Sequence, residues 1–273
     1  MRKLLFFDID GTLCMPGRAP TERTVNAIRA ARAGGHKVFL STGRNIVGIP
    51  KPVNDIGFDG YISNAGACAQ VGDEILLDLP LPKELLTETL DLLQSNDICV
   101  AIQSDNDNYT DEAQNERVKA TLDPASLGSL DAFINVLKLN NWAGHSDSPV
   151  YKICFIAPNA EHWERVRGWM EERYDVTLFD NLFPSHSLIS GELNRKGTDK
   201  GRALNVLCAH FGQTAEDAIA FGDSTNDSAM LIAAGTGYAM ANAQEEVKAI
   251  ADAICPHCNE DGVARTLEEL GLC

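Results

Sequence analysis

The run Leu4-Leu5-Phe6-Phe7-Asp8-Ile9-Asp10-Gly11-Thr12-Leu13 decides how the rest of the chain is read. Four consecutive apolar residues suit a strand buried on both faces, and the turn containing Gly11 ends it. Carboxylates at i and i+2 of an extended chain point to the same side. At the carboxyl end of a parallel strand, they lie where open α/β sheets place their sites. Paired acids there repel each other unless a cation or a shared proton intervenes. A hard, oxygen-seeking Mg²⁺ is a cation of that kind. Taken alone, Asp8 and Asp10 would also fit a solvated surface turn.

Outward from this run, strand and helix signals alternate. Residues 21–32 read as a helix with Val25, Ile28 and Ala31 on one face and Gly34-Gly35 as the stop. Residues 36–40 form the next strand, closed by Ser41-Thr42-Gly43-Arg44. Residues 60–63 form a third, followed by Asn64-Ala65-Gly66-Ala67. The alternation returns after about Ser190. There, residues 200–211 are helical with Ala203, Leu204, Leu207 and Phe211 on one face, and residues 218–221 form a strand ending at Gly222-Asp223. Helix 227–234, strand 237–240, helix 244–250 and a short strand at 253–254 follow. Repeated β-α-β units of this kind predict an α/β fold, a Rossmann-like parallel sheet covered on both faces.

Between these segments the character changes, near Leu79-Pro80-Leu81-Pro82. A helix over 83–94 precedes strand-like segments at 98–103, 134–139, 152–157 and 176–179, with a helix over 161–173 between the last two. Residues 103–116, rich in Asp and Asn, read as a solvated loop or hairpin. The expected organisation is a discontinuous core of residues 1–80 and 189–273, with an α+β unit of residues 81–188 inserted into it.

Composition narrows the function classes. A chain of 273 residues can bury a substantial core, and its net charge of −16 argues against a nucleic-acid partner, whose phosphates need clustered Lys and Arg. The opening apolar run stops at Asp8, short of the roughly 7–15 residues of a signal-peptide core. Nothing else approaches the ~18 apolar residues of a membrane span. A soluble, cytoplasmic protein without membrane partners is expected. Cys99, Cys154 and Cys208 sit in apolar segments and suit buried free thiols. Cys255-Pro256-His257-Cys258 has the look of a metal clip, but no second ligand pair stands at a usable spacing.

Three features add chemistry to the Asp8/Asp10 pair. Ser41-Thr42-Gly43 offers hydroxyls and a glycine N–H that a phosphate can approach closely. Lys200 opens a helix in Asp199-Lys200-Gly201, where an ammonium can neutralise phosphate and fix a nucleophile. Gly222-Asp223-Ser224-Thr225-Asn226-Asp227 follows an apolar strand, precedes a helix and brings two more carboxylates. The first two are common as plain turns and surface lysines; the third is far more specific.

In this order and at these intervals, the four motifs resemble those of the haloacid dehalogenase-like superfamily, and within it the Cof-type phosphatases with a type IIB cap. The resemblance continues in 237–243 and 259–264; in the inserted unit it is mainly one of position and size. It implies a magnesium-dependent phosphatase acting on small phosphate monoesters, sugar or cofactor phosphates. Asp8 would be the nucleophile, Asp10 the acid and base, and Lys200 the third catalytic residue. Thr42, Gly43, Lys200 and Asn226 would bind the substrate phosphate. Mg²⁺ would be held by Asp8, Asp10 and Asp223, with Asp227 supporting that shell.

Two departures stand out. Ala65 occupies the position where the family often carries Asn, and Lys196-Gly197 offers a second candidate for the lysine motif, although Lys200 directly precedes the Gly-Arg-Ala-Leu helix start. Rival readings are a hexose-phosphate phosphomutase and a catalytically idle regulatory or binding relative. Against the idle reading, Asp8, Asp10, Thr42, Lys200 and Asp223 are all present. Tyr109, Trp142 and His186 are conceivable substrate contacts, but packing or a solvated loop explains each of them better. Oligomeric state is not encoded in any feature read here.

Overall fold

A computed structural model describes residues 2–105, 107–124, 126–128, 130, 139–142, 147–179 and 188–273. Its strands are β1 (Leu4–Phe7), β2 (Lys37–Ser41), β3 (Gly60–Ser63), β4 (Cys68–Val71), β5 (Glu74–Asp78), β6 (Cys99–Ser104), β7 (Asn108–Thr110), β8 (Asn140–Asn141), β9 (Val150–Ala157), β10 (Tyr174–Leu178), β11 (Ile189–Arg195), β12 (Ala218–Gly222), β13 (Thr236–Met240) and β14 (Ala253–Cys255). The chain divides into two compact units, Met1–Asp78 with Thr198–Cys273, and Leu79–Gly197.

The first unit is the expected α/β core. Its sheet runs β14-β13-β12-β1-β2-β3-β4-β5. The six strands from β14 to β3 are parallel, and an antiparallel hairpin, β4 and β5, forms the far edge. Strand periodicity explains why β1 is apolar throughout. Leu5 and Phe7 face helices Glu22–Ala33 and Gly262–Glu269 through Ile28, Ala31, Val263 and Leu267. Leu4 and Phe6 face helix Lys200–His210 and its neighbours through Leu204, Leu207 and Met230. All four β1 side chains are fully buried. Burying each is worth about 1.5–3 kcal/mol, so β1 anchors both layers of the core.

Local chemistry sets the helix that matters most for the site. Asp199 is its N-cap, accepting from Arg202 N at 2.7 Å, which starts the helix at Lys200. Gly66 (φ +99°) lets the loop after β3 lie against that start; a Cβ there would sit 2.2 Å from the Asp199 carbonyl.

The second unit is an α+β layer with sheet order β10-β11-β9-β6-β7-β8. Its helices Lys83–Ser95 and Ala160–Arg173 pack on one face through Leu86, Leu93, Trp163 and Val166. The other face carries Lys152 and Glu192, ion-paired at 2.9 Å, with Asn194 Nδ2 on the second Glu192 oxygen at 3.1 Å.

Details differ from the sequence reading. The unit junctions fall at 78/79 and 197/198, where the sequence was divided at 80/81 and 188/189. Residues 189–195, placed there in the core and not read as a strand, form β11, which pairs with β9 and β10 in the second sheet. The segment read as a solvated loop or hairpin holds strand β7 and helix Glu112–Lys119, capped by Asp111. Tyr109 is buried, its ring edge-on to Trp142 at 5.4 Å, as packing would have it. Residues 134–138 of the strand expected over 134–139, and His186, lie outside the described residues. All eight cysteines are reduced thiols, and those of Cys255 and Cys258 turn inward onto the sulfurs of Met240 and Met15. No helix among the described residues is long and apolar enough to cross a membrane.

Candidate active site

The site forms at the carboxyl ends of β1, β2 and β12. Register places Phe7 beside Phe221 and Leu40, so the residues that follow each strand emerge together. Asp8 continues β1, its N–H donating to the Phe221 carbonyl at 3.1 Å. Lys200, fully buried, donates from Nζ to Asp8 Oδ1 at 2.7 Å and to Asp227 Oδ1 at 2.6 Å. Asp227 organises the loop it follows, because its Oδ2 accepts from the N–H groups of Asp223 (3.0 Å) and Ser224 (3.1 Å). Asp223 Oδ1 accepts from Thr12 Oγ1 at 3.0 Å.

Gly11 brings the first loop against the fourth motif. It adopts φ +95°, and a Cβ there would meet the Asp223 carboxylate at 2.2 Å. Its carbonyl accepts from Asn242 Nδ2 at 2.7 Å. Neither Thr12 nor Asn242 was singled out by role in the sequence, although both stand inside the motifs that carry the resemblance.

Asp8, Asp223 and Asp227 each offer a carboxylate oxygen within 4.8 Å of the others, the sole such acidic or thiol/imidazole group among the described residues. Three carboxylates against one lysine leave two negative charges uncompensated (−3 + 1 = −2) when all are ionised. Burial first, then the Asp227 carboxylate, push Asp8 well above the ordinary carboxylate range, against the pull of Lys200. Burial and Asp227 likewise push Asp223 up to about 7. Burial disfavours the charged form of Lys200, but Asp227 and Asp8 outweigh it and hold the ammonium above its usual value. Hard oxygen donors packed this closely, with an unmet excess of charge, fit a hard divalent metal ion.

The remaining expected residues are placed as follows. Asp10 is not in that group: Arg44 takes both its oxygens, Nε to Oδ2 at 2.7 Å and Nη2 to Oδ1 at 2.8 Å. Thr42, buried at the end of β2, accepts through Oγ1 from Arg44 N at 3.1 Å, and Gly43 lies between the two. Asn226 is exposed, its carboxamide oxygen taking the Ser224 hydroxyl at 2.9 Å. Lys196 is exposed, so the buried lysine on Asp8 is Lys200. Asn64 and Ala65 both adopt positive φ, and the buried Asn64 Oδ1 has no hydrogen-bond partner.

The comparisons with known proteins agree with this geometry. The family model of the haloacid dehalogenase-like hydrolases matches residues 5–267. Phosphatase YwpJ of Bacillus subtilis is 29% identical, over 98% of this chain and 99% of that protein. Phosphoglycolate phosphatase of Methanopyrus kandleri is 28% identical, over 99% of this chain and 97% of its own length. The solved structure of a HAD subclass IIB sugar phosphatase matches with a TM-score of 0.76 at 26% identity, covering 99% of this chain and 100% of that one. With its motifs, its fold and full-length likenesses all in accord, the chain belongs to the haloacid dehalogenase-like hydrolases, as a Cof-type phosphoric monoester hydrolase.

Proposed function

We propose that the protein hydrolyses small phosphate monoesters, sugar phosphates foremost and cofactor phosphates second, through an aspartyl-phosphate on Asp8 and with Mg²⁺. The observation that carries this reading is the buried, over-acidic cluster around Lys200. Asp8 attacks phosphorus in line, a P–O bond to Asp8 forms, and the bond to the leaving oxygen breaks. Asp10 gives that oxygen its proton, then takes one from the water that cleaves the aspartyl-phosphate and releases inorganic phosphate. Acid–base help of this kind is worth about 10²–10⁴-fold. Lys200 fixes the Asp8 carboxylate and supplies positive charge beside it, while Thr42 and Gly43 donate to the phosphoryl oxygens.

Asp8 and Asp223 would hold Mg²⁺, with Asp227 behind them fixing Lys200 and the loop amides. When bound, the ion supplies positive charge against the carboxylates and phosphoryl oxygens. The Asp10 carboxylate, engaged by Arg44, is left for proton transfer. The solved sugar phosphatase supports the first substrate class, by likeness over the whole chain. Eight reduced thiols support a reducing compartment such as the cytoplasm.

The test is phosphate release across a panel of sugar, cofactor and aryl phosphates, with and without Mg²⁺. Metal-dependent release from at least one sugar phosphate is expected. No release from any member would sink the reading, and interconversion of hexose phosphates without release would redirect it to a phosphomutase.

A further inference from the structure

The reaction asks one carboxyl group to deliver a proton and later accept one, so Asp10 must be held in a fixed plane near the reacting oxygen. Nothing in the Asp8–Asp223–Asp227 cluster holds it. Arg44 does. Its Nε and Nη2 meet the two Asp10 oxygens in a two-pronged pairing at 2.7 and 2.8 Å. This fork geometry is specific to guanidinium and carboxylate, and no lysine reproduces it.

The guanidinium is itself held. Its Nη1 donates to the Gly48 carbonyl at 3.2 Å, and Gly48 is tied down by Asn45, whose Oδ1 accepts from Gly48 N at 3.0 Å. The Arg44 backbone is pinned on both sides: its N–H donates to Thr42 Oγ1, and its carbonyl accepts from Asn64 N at 2.8 Å. A residue so fixed positions its partner at low entropic cost. A carboxylate has about four acceptor positions, and the fork takes two, leaving the others for a proton in transit. Both side chains are about one-third exposed (38% and 31%), so the pair adds little to stability for its geometry to be explained by.

We propose that Arg44 is a positioning residue for catalysis, orienting Asp10 for both proton transfers through the paired guanidinium fork. This rests on the reading of Asp10 as acid and base. It joins the second motif to the first: the same short loop that presents Thr42 and Gly43 also holds the proton-transfer group.

The test uses the full-length protein with saturating Mg²⁺ and two substrates, an alkyl phosphate and p-nitrophenyl phosphate, whose leaving group needs little protonation. Arg44→Ala is expected to lower kcat on the alkyl phosphate by about 10²-fold, within the range of acid–base catalysis, with KM nearly unchanged. In kcat/KM, which reports the step that expels the leaving group, the loss on the aryl phosphate is smaller than that on the alkyl phosphate. Arg44→Lys recovers only part of kcat, which also guards against a misfolded alanine variant. In an Asp10→Asn background, adding Arg44→Ala should cost nothing further, as expected for residues that act as one unit. Losses that multiply in the double variant would overturn the proposal, as would a rise in KM at constant kcat, or equal losses in kcat/KM on both substrates. A wild type that releases no phosphate overturns the proposed function and this role with it; an active wild type beside an equally active Arg44→Ala overturns the role alone.

Discussion

Each unit buries a lysine, and the two are used differently. Lys152, in the middle of β9, meets Glu192 of the neighbouring strand β11 at 2.9 Å, forty residues away in sequence. Lys200, at a helix start, is shared by Asp8 and Asp227, with Asp223 close beside them. A matched buried pair roughly breaks even between desolvation and attraction, and specifies geometry more than it stabilises. An excess of acid is another matter, because its repulsion must be met by protons or by a cation. Burial alone therefore does not mark a site; buried charge that does not add up to zero does.

The comparison can be broken at either lysine. Asp8→Asn should abolish turnover, by about 10⁵-fold or more as for other covalent nucleophiles, without unfolding the protein. Since burial and Asp227 hold Asp8 above its ordinary range, removing its charge should leave the metal-free melting temperature unchanged or higher. A fall of many degrees would contradict the over-acidic picture. Lys200→Met should cost activity by about 10³-fold, in the range for losing one preorganised charge. It should also destabilise the metal-free fold, by leaving Asp8 and Asp227 unpaired; phosphate release and a denaturant melt check both effects.

Lys152→Met should lower stability by about 3–5 kcal/mol, the usual cost of orphaning one buried partner. Lys152→Met with Glu192→Leu should recover most of it, and the core chemistry should be retained per folded molecule. Failure of the double variant to recover would make Lys152 more than a matched partner.

The smallest effect is a pH trend. Native Asp223, pushed up to about 7, binds its proton more tightly than the unfolded chain does at 3.8. Stability of the metal-free protein must then fall as pH rises between those values, with the full cost in place above about 7. Melting temperatures at pH 5 and pH 8 should show the fall, and Mg²⁺ should raise the pH 8 value more, because protons and metal compete for the same oxygens. A metal-free protein more stable at pH 8 than at pH 5 would refute it.

Much of this site was readable in the sequence because each of its parts closes a strand or opens a helix. Asp8 after four apolar residues, Asp223 after Ala218–Gly222 and Lys200 after its Asp199 cap are local patterns with local causes. What stayed hidden depends on chain segments far apart. The Asp10–Arg44 fork spans 34 positions, and no residue-type pattern says that a carboxylate two places after the nucleophile will turn away from the acidic cluster. Residues 189–195 were given to the core, and β11 was not read there as a strand, for a similar reason. The pattern Ile-Ser-Gly-Glu-Leu-Asn-Arg carries little apolar signal, and its pairing with β9 and β10 before the chain returns to the core at Thr198 is made by distant segments. Asn242 reaches Gly11 across 231 positions, which no window of sequence contains.

The place of β1 between β2 and β12 has a consequence for how the protein is made. Its partner on one side follows within about thirty residues, while its partner on the other is Ala218–Gly222. During synthesis, the second unit is complete at Gly197, before that partner has been translated. Until then Leu4–Phe7 has one open edge and an apolar face without helix Lys200–His210 to cover it. An unpaired apolar strand edge of this kind invites association with other chains. The nascent chain should therefore be most vulnerable to aggregation, and most in need of chaperones, from the completion of β2 at Ser41 until Gly222 has been translated.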